Sequence, residues 1–160
     1  MARLVETAQA LILRLREQGL KVATAESCTG GLIVGFLTEI SGSSAVVDRG
    51  FVTYSNDAKA EMLGVSPTLL ERYGAVSAPV AMAMVEGALA RSKAHIAVSV
   101  TGIAGPTGGS IDKPVGTVHF AALRRGGVTR HDHKVFEGDR SRVRQLTVLH
   151  AFRLIELSID

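Results

Sequence analysis

Thr24-Ala25-Glu26-Ser27-Cys28-Thr29-Gly30-Gly31 stands between two apolar runs, Leu20 to Ala25 before it and Leu32 to Ile40 after it. The first run is short and continuous, and the second has helical spacing. Together they predict a strand, a tight turn and a helix. The turn carries two nucleophile types, a carboxylate and two glycines. Amide N–H groups at a helix start have no partner inside the helix, so such a turn suits an anion or a developing oxyanion. A plainer account is equally open. Ser27 or Thr29 caps the helix, and the glycines allow close packing. The octet alone does not choose.

Working outward, Leu4, Ala8, Leu11 and Leu15 form one stripe of an amphipathic helix that stops at Gly19. After the Leu32–Ile40 helix, Ser41-Gly42-Ser43-Ser44 breaks the chain, and Val46 to Tyr54 is rich in strand formers. Ser55 or Asn56 caps a short helix through Lys59 to Leu63, which Gly64 ends. Ser66-Pro67 opens another helix as far as Gly74, and Ala78-Pro79 opens a longer one to Arg91. Ala94 to Thr101 is apolar enough for a buried central strand. A glycine-rich loop follows, from Gly102 to Ser110. Val115–Leu123 and Val128–Phe136 flank the turn Arg125-Gly126-Gly127 as a hairpin, and Val143 to Ile159 marks a last helix. The order α-β-α-β-α-α-α-β-β-β-α, without repeats or linkers, predicts one domain over residues 1–160. Its expected fold class is α/β, a three-layer α/β/α sandwich with a mixed sheet.

Composition excludes several classes. Charged residues are 21% and hydrophobic residues 46%, so the chain can bury a core. Net charge is +3 but dispersed, and aromatics are only 4%, which argues against a stacked nucleic-acid surface. The densest basic stretch is Arg140-Ser-Arg142-Val-Arg144. A single cysteine, Cys28, forbids an intrachain disulfide framework. No run is long enough for a membrane span, and Met1 to Glu6 does not read as a signal peptide. A cytoplasmic protein is expected, as a homo-oligomer, with no specific nucleic acid or membrane partner.

Two glycine-rich turns each follow a predicted strand, and ligands gather at the carboxyl ends of strands in open α/β sheets. Neither turn has P-loop or dinucleotide spacing. The five histidines show no metal spacing, and His131 and His133 share a strand face as half a site at most. Gly-x-Ser-x-Gly is absent around Ser27, and no histidine beside a carboxylate is singled out; a lysine is an alternative base for a nucleophilic serine. Of five lysines, Lys59 lies one helical turn past a strand end. Lowering a lysine from ~10.4 to near 7.5 costs about 4 kcal/mol, within what burial supplies. By spacing alone, Lys59 reads as a solvated helix residue.

Four motifs occur in order. They are the opening octet, then Tyr54-Ser55-Asn56-x-x-Lys59-x-x-x-Leu63-Gly64-Val65, then Thr101-Gly102-Ile-Ala-Gly105-Pro106-x-Gly108-Gly109 with Lys113-Pro114-Val115-Gly116-Thr117-Val118, and Phe136-x-Gly138-Asp139-Arg140-x-x-Val143-Arg144. Together they resemble the CinA C-terminal domain family, whose characterised activity is nicotinamide-nucleotide amidase. The resemblance covers nearly the whole chain, in the stand-alone form without a separate amino-terminal domain. It implies an α/β sandwich and a serine–lysine pair at Ser27 and Lys59, with Tyr54 beside the lysine. It implies a small-molecule nucleotide substrate and no cofactor or metal. Substrate-binding roles are expected for Glu26, Thr29, Gly30, Gly31, Ser44, Gly102, Gly105, Thr107, Gly108, Gly109 and Arg140.

The implied reaction converts nicotinamide mononucleotide to nicotinic acid mononucleotide and ammonia through an acyl-enzyme, with backbone N–H groups near Thr29 to Gly31 holding the oxyanion. Cys28 is the rival nucleophile, since a thiol at a helix start is easily activated. The alternative function is a non-catalytic nucleotide-binding or regulatory module linked to competence or DNA damage.

Overall fold

The computed structural model describes all 160 residues. Helix α1 (Ala2–Glu17) leads to strand β1 (Val22–Glu26), helix α2 (Leu32–Thr38) and strand β2 (Val47–Val52). Helices α3 (Asn56–Leu63), α4 (Pro67–Tyr73) and α5 (Ala78–Ala90) follow. Strands β3 (Ile96–Gly102), β4 (Thr117–Arg124) and β5 (Arg130–Val135) precede helix α6 (Arg140–Leu157). The element order is the one the sequence predicts. The hairpin strands are shorter than expected. Pro114 and the left-handed Gly116 keep Val115 out of the ladder, and Val128 is left exposed at the turn.

The strands form one sheet in the order β2-β1-β3-β4-β5. β1 runs parallel to both β2 and β3, while β4 and β5 add antiparallel, so the sheet is mixed. β1 is buried at every residue because helices cover both its faces. On one face α1, α2 and α6 pack around Leu11, Ile33, Phe120, Phe152 and Ile155. On the other, α3, α4 and α5 pack around Leu63, Leu70, Met84 and Ala97. The result is a three-layer α/β/α sandwich. No helix is long and apolar enough to cross a membrane.

This topology dictates where a ligand fits. From β1 the chain crosses by α2 to β2 on one side. From β2 it returns by the helices of the opposite layer to β3, on the other side of β1. Connections therefore diverge at the carboxyl end of β1, which opens a crevice between the loops there.

Candidate active site

The parallel register makes the strand ends flush. Glu26 pairs with Val52 on one side and Val100 on the other. The Ser27 N–H donates to Val100 O at 3.1 Å, and the Thr53 N–H donates to Glu26 O at 2.8 Å. Ser27 thus sits on the last rung of the ladder. Two residues beyond Thr53, Ser55 caps α3 by accepting from the Ala58 N–H at 3.0 Å. The first turn of α3 then carries Lys59. Lys59 and Leu63, four apart, share the buried face of this helix. Gly87 of α5 lets α3 come close, because a Cβ there would overlap the Leu63 carbonyl.

These elements bring Lys59 Nζ to 2.9 Å from Ser27 Oγ. Its other contacts are two carbonyl oxygens, Thr53 O at 2.9 Å and Tyr54 O at 3.3 Å. Lys59 is only 1% exposed and has no carboxylate partner. Burial lowers its pKa from the usual 10.5. A neutral amine has two N–H groups and one lone pair. The carbonyls take the two N–H groups, and the lone pair is left for the serine hydroxyl proton. An ammonium satisfies all three contacts as a donor. The same three oxygens therefore suit the lysine before and after it accepts a proton.

The Ser27 turn is gripped from two sides. Glu26 is fully buried and takes the N–H groups of the second and third residues of α2, Ile33 at 2.8 Å and Val34 at 3.0 Å. It also accepts from the Thr29 hydroxyl at 2.6 Å and the Thr24 hydroxyl at 3.2 Å. Gly31, at φ 102°, lets the chain turn into α2. From α6, Arg144 donates to Cys28 O at 3.2 Å and Thr29 O at 3.1 Å. The Gly30 N–H closes the turn onto Ser27 O at 3.0 Å. The N–H groups of Cys28 and Thr29 meet no oxygen acceptor in the chain. The Cys28 N–H faces its own thiol, so the Thr29 N–H is the unengaged donor of the two.

A cavity of about 260 Å³ opens over the pair, lined by Ser27, Lys59, Tyr54, Asn56, Gly102 and Arg140 among others. Arg140, the first residue of α6, donates to Gly105 O at 2.8 Å and to the Tyr54 hydroxyl at 3.2 Å. The α6 N-terminus adds its own positive end, so an anionic group is favoured here.

The structure places several of the expected site residues away from the cavity. Glu26 is fully buried, and its oxygens are taken by the Ile33 and Val34 N–H groups and by the Thr29 and Thr24 hydroxyls. The Thr29 hydroxyl is likewise buried on Glu26. Tyr54 is 64% exposed and its phenol reaches Arg140, so it offers Lys59 a backbone carbonyl rather than a hydroxyl. Ser44 is exposed and precedes β2, a whole strand away from the cavity at the other end. Thr107, Gly108 and Gly109 line a separate shallow hollow with Ile111, not the cavity over Ser27. Gly30 lies against the Arg144 guanidinium, and neither Gly30 nor Gly31 lines the cavity. The cavity instead adds Asn56, Ala75, Val76, Thr101 and Ala104. Asn56 and Thr101 belong to the quoted motifs, but Ala75 and Val76 carry no sequence signal.

Cys28 is buried in the α2–α6 layer, and burial pushes its thiol up to about 12. It therefore offers no thiolate near neutral pH. His131 and His133 stack on His119 of β4, well outside the cavity lining. No group of three or more histidine, cysteine, aspartate or glutamate side chains is arranged to hold a metal ion.

The comparisons fit this geometry. The family model of the CinA C-terminal domain matches residues 5–159. The chain is 52% identical over 143 residues to the nicotinamide-nucleotide amidohydrolase PncC of Escherichia coli K12, covering 88% of this chain and 86% of that protein. It is 54% identical over 138 residues to a CinA-like protein of Akkermansia muciniphila, covering 86% of this chain but 33% of that protein. The chain thus spans about a third of the longer relative. The crystal structure of the competence/damage inducible protein CihA of Agrobacterium tumefaciens superposes with a TM-score of 0.95 at 52% identity, covering 98% of this chain and 96% of that one. With the profile spanning both cavity walls and the fold reproduced from end to end, this chain belongs to the CinA C-terminal domain family.

Proposed function

We propose that this chain is an amidohydrolase that converts nicotinamide mononucleotide to nicotinic acid mononucleotide and ammonia through a Ser27 acyl-enzyme. The observation that carries this reading is the buried, uncompensated Lys59 amine 2.9 Å from the Ser27 hydroxyl. The name of the Escherichia coli relative supplies the substrate class. A purely nucleotide-binding module has no need to bury a lysine against a serine, since that placement costs stability.

Neutral Lys59 removes the Ser27 proton as Oγ attacks the carboxamide carbon. The carbonyl oxygen becomes an oxyanion, and the Cys28 and Thr29 N–H groups are the donors nearest the nucleophile. As the tetrahedral species collapses, the C–N bond breaks and the Lys59 ammonium returns its proton to the departing nitrogen as ammonia. Water then adds to the ester carbonyl as Lys59 again takes a proton, and when the C–O bond breaks Lys59 returns that proton to Ser27 Oγ, leaving the carboxylic acid to ionise. Arg140 and the α6 N-terminus bind the phosphate, and the exposed Tyr54 ring borders the base.

Ammonia release from nicotinamide mononucleotide is the test. Wild-type protein turns over, and Ser27→Ala and Lys59→Ala each fall on the order of 10^4-fold or more. Wild-type protein that releases no ammonia from this amide refutes the proposal.

A further inference from the structure

Arg144 touches nothing in the cavity, yet it makes two hydrogen bonds to the turn that carries the nucleophile. It has no carboxylate partner anywhere in the chain. Its acceptors are two consecutive carbonyl oxygens, those of Cys28 and Thr29. A guanidinium is a rigid planar fork, which spans two such oxygens where an ammonium holds one.

In a trans peptide the C=O and the following N–H point in opposite directions. The carbonyl of Cys28 and the N–H of Thr29 belong to one such plane. Drawing Cys28 O towards Arg144 therefore turns the Thr29 N–H away from α6. The next plane holds Thr29 O on Arg144 and the Gly30 N–H on Ser27 O. That plane is fixed at both ends, so the turn cannot rotate as a unit. The Thr29 N–H is left without an oxygen acceptor beside Ser27.

Arg144 sits one helical turn after Arg140, so both project from the same side of α6. Arginines in the first turns of a helix oppose its dipole, which is a cost that a merely stabilising residue does not incur.

We propose that Arg144 is a positioning residue that fixes the oxyanion-binding N–H of Thr29 by holding the carbonyls of Cys28 and Thr29. Its effect falls on the transition state and not on substrate binding. This rests on the amidase reading, but the test separates the two. Arg144→Ala and Arg144→Lys are compared with wild type and with Arg153→Ala, an exposed arginine further along the same helix. Two rates are measured per intact active site. One is ammonia release from nicotinamide mononucleotide. The other is labelling of Ser27 by a fluorophosphonate, whose phosphoryl oxygen needs the same donors whatever the natural substrate. Thermal melts show that each variant is folded, with Arg144→Lys as the milder change.

The expected result is a fall of about 10- to 100-fold in kcat and in labelling rate for both variants, with KM within about threefold of wild type. Millimolar guanidinium restores part of both rates in Arg144→Ala, and Arg153→Ala is unaffected. Rates within about threefold of wild type, a loss confined to KM, or no recovery with guanidinium each overturn the proposal. If wild type is labelled but releases no ammonia, the amidase reading fails and the labelling rates still decide Arg144. If wild type is not labelled, both fail.

Discussion

Lys59 Nζ lies 2.9 Å from Ser27 Oγ, although thirty-two positions separate the two residues. The amine has no acidic neighbour to compensate it. Burial lowers its pKa instead, and that makes its chemistry measurable.

Burial lowers the Lys59 pKa, so between that lowered value and 10.5 the unfolded chain binds more protons than the native one. Stability therefore rises with pH across this window, and near neutrality the buried amine is a burden. Lys59→Met should abolish turnover and raise Tm by roughly 2–6 °C at pH 7. The wild-type rate should climb with pH to a midpoint below 10.5. A melt of the variant at or below the wild-type Tm contradicts this account.

Glu26 accepts four hydrogen bonds with no water to replace them. In Glu26→Gln one acceptor becomes an NH2 that faces other donors. A loss of about 2–4 kcal/mol is expected in denaturant unfolding, with a lower kcat as the Ser27 turn loosens. Wild-type stability in this variant would mean that the carboxylate is not anchoring α2.

Cys28→Ala should keep kcat within about threefold of wild type, because a thiol held up to about 12 contributes no nucleophile. Iodoacetamide at pH 7.5 should leave the native enzyme active. Inactivation that tracks alkylation of Cys28 would reinstate the sulfur.

Helix propensity alone says that Gly87→Ala stabilises α5 by about 1 kcal/mol. The new methyl would instead overlap the Leu63 carbonyl, one turn after Lys59. We expect a destabilisation of about 1–3 kcal/mol and a fall in kcat as α3 is pushed from the sheet. The sign of the stability change decides between the two.

His119 stacks on His133 at 4.5 Å between ring centroids, and its Nδ1 lies 3.0 Å from His131 Nε2. Burial first, and then the two neighbouring imidazoles and Lys113, lower its pKa from 6.5 to about 4. Between those values the unfolded chain binds the extra proton, so stability falls as pH drops from 6.5 towards 4. His119→Phe should flatten Tm against pH over that range. An unchanged slope would place the acid sensitivity elsewhere.

The element order was legible because periodicity switches cleanly between strands and helices, with Gly19, Gly64 and Gly74 marking three of the stops. The Ser27–Lys59 pair was not legible from spacing. Their meeting depends on β1 and β2 lying parallel with flush ends, which no local pattern encodes. Only the resemblance paired them. Glu26 misled because a carboxylate in a turn serves a ligand or a cap equally well. The choice depends on where the amides of Ile33 and Val34 fall. The placement of Ser44 before β2 was likewise not legible, since a small polar turn looks the same at either end of a strand. The spacing of four between Arg140 and Arg144 was visible, but it acquires meaning only once α6 is seen to start beside the Ser27 turn.

Ser27 occupies the final rung of a backbone ladder that is bonded on both flanks. Its backbone position is thus set by ladder bonds to both neighbouring strands. The rim is built differently, from the exposed Tyr54 ring and the Gly105 turn meeting at Arg140. Under the proposed reaction, the floor of the cavity and its rim are therefore separate parts, so exchanging rim residues should retune which amide is accepted without displacing Ser27 or Lys59.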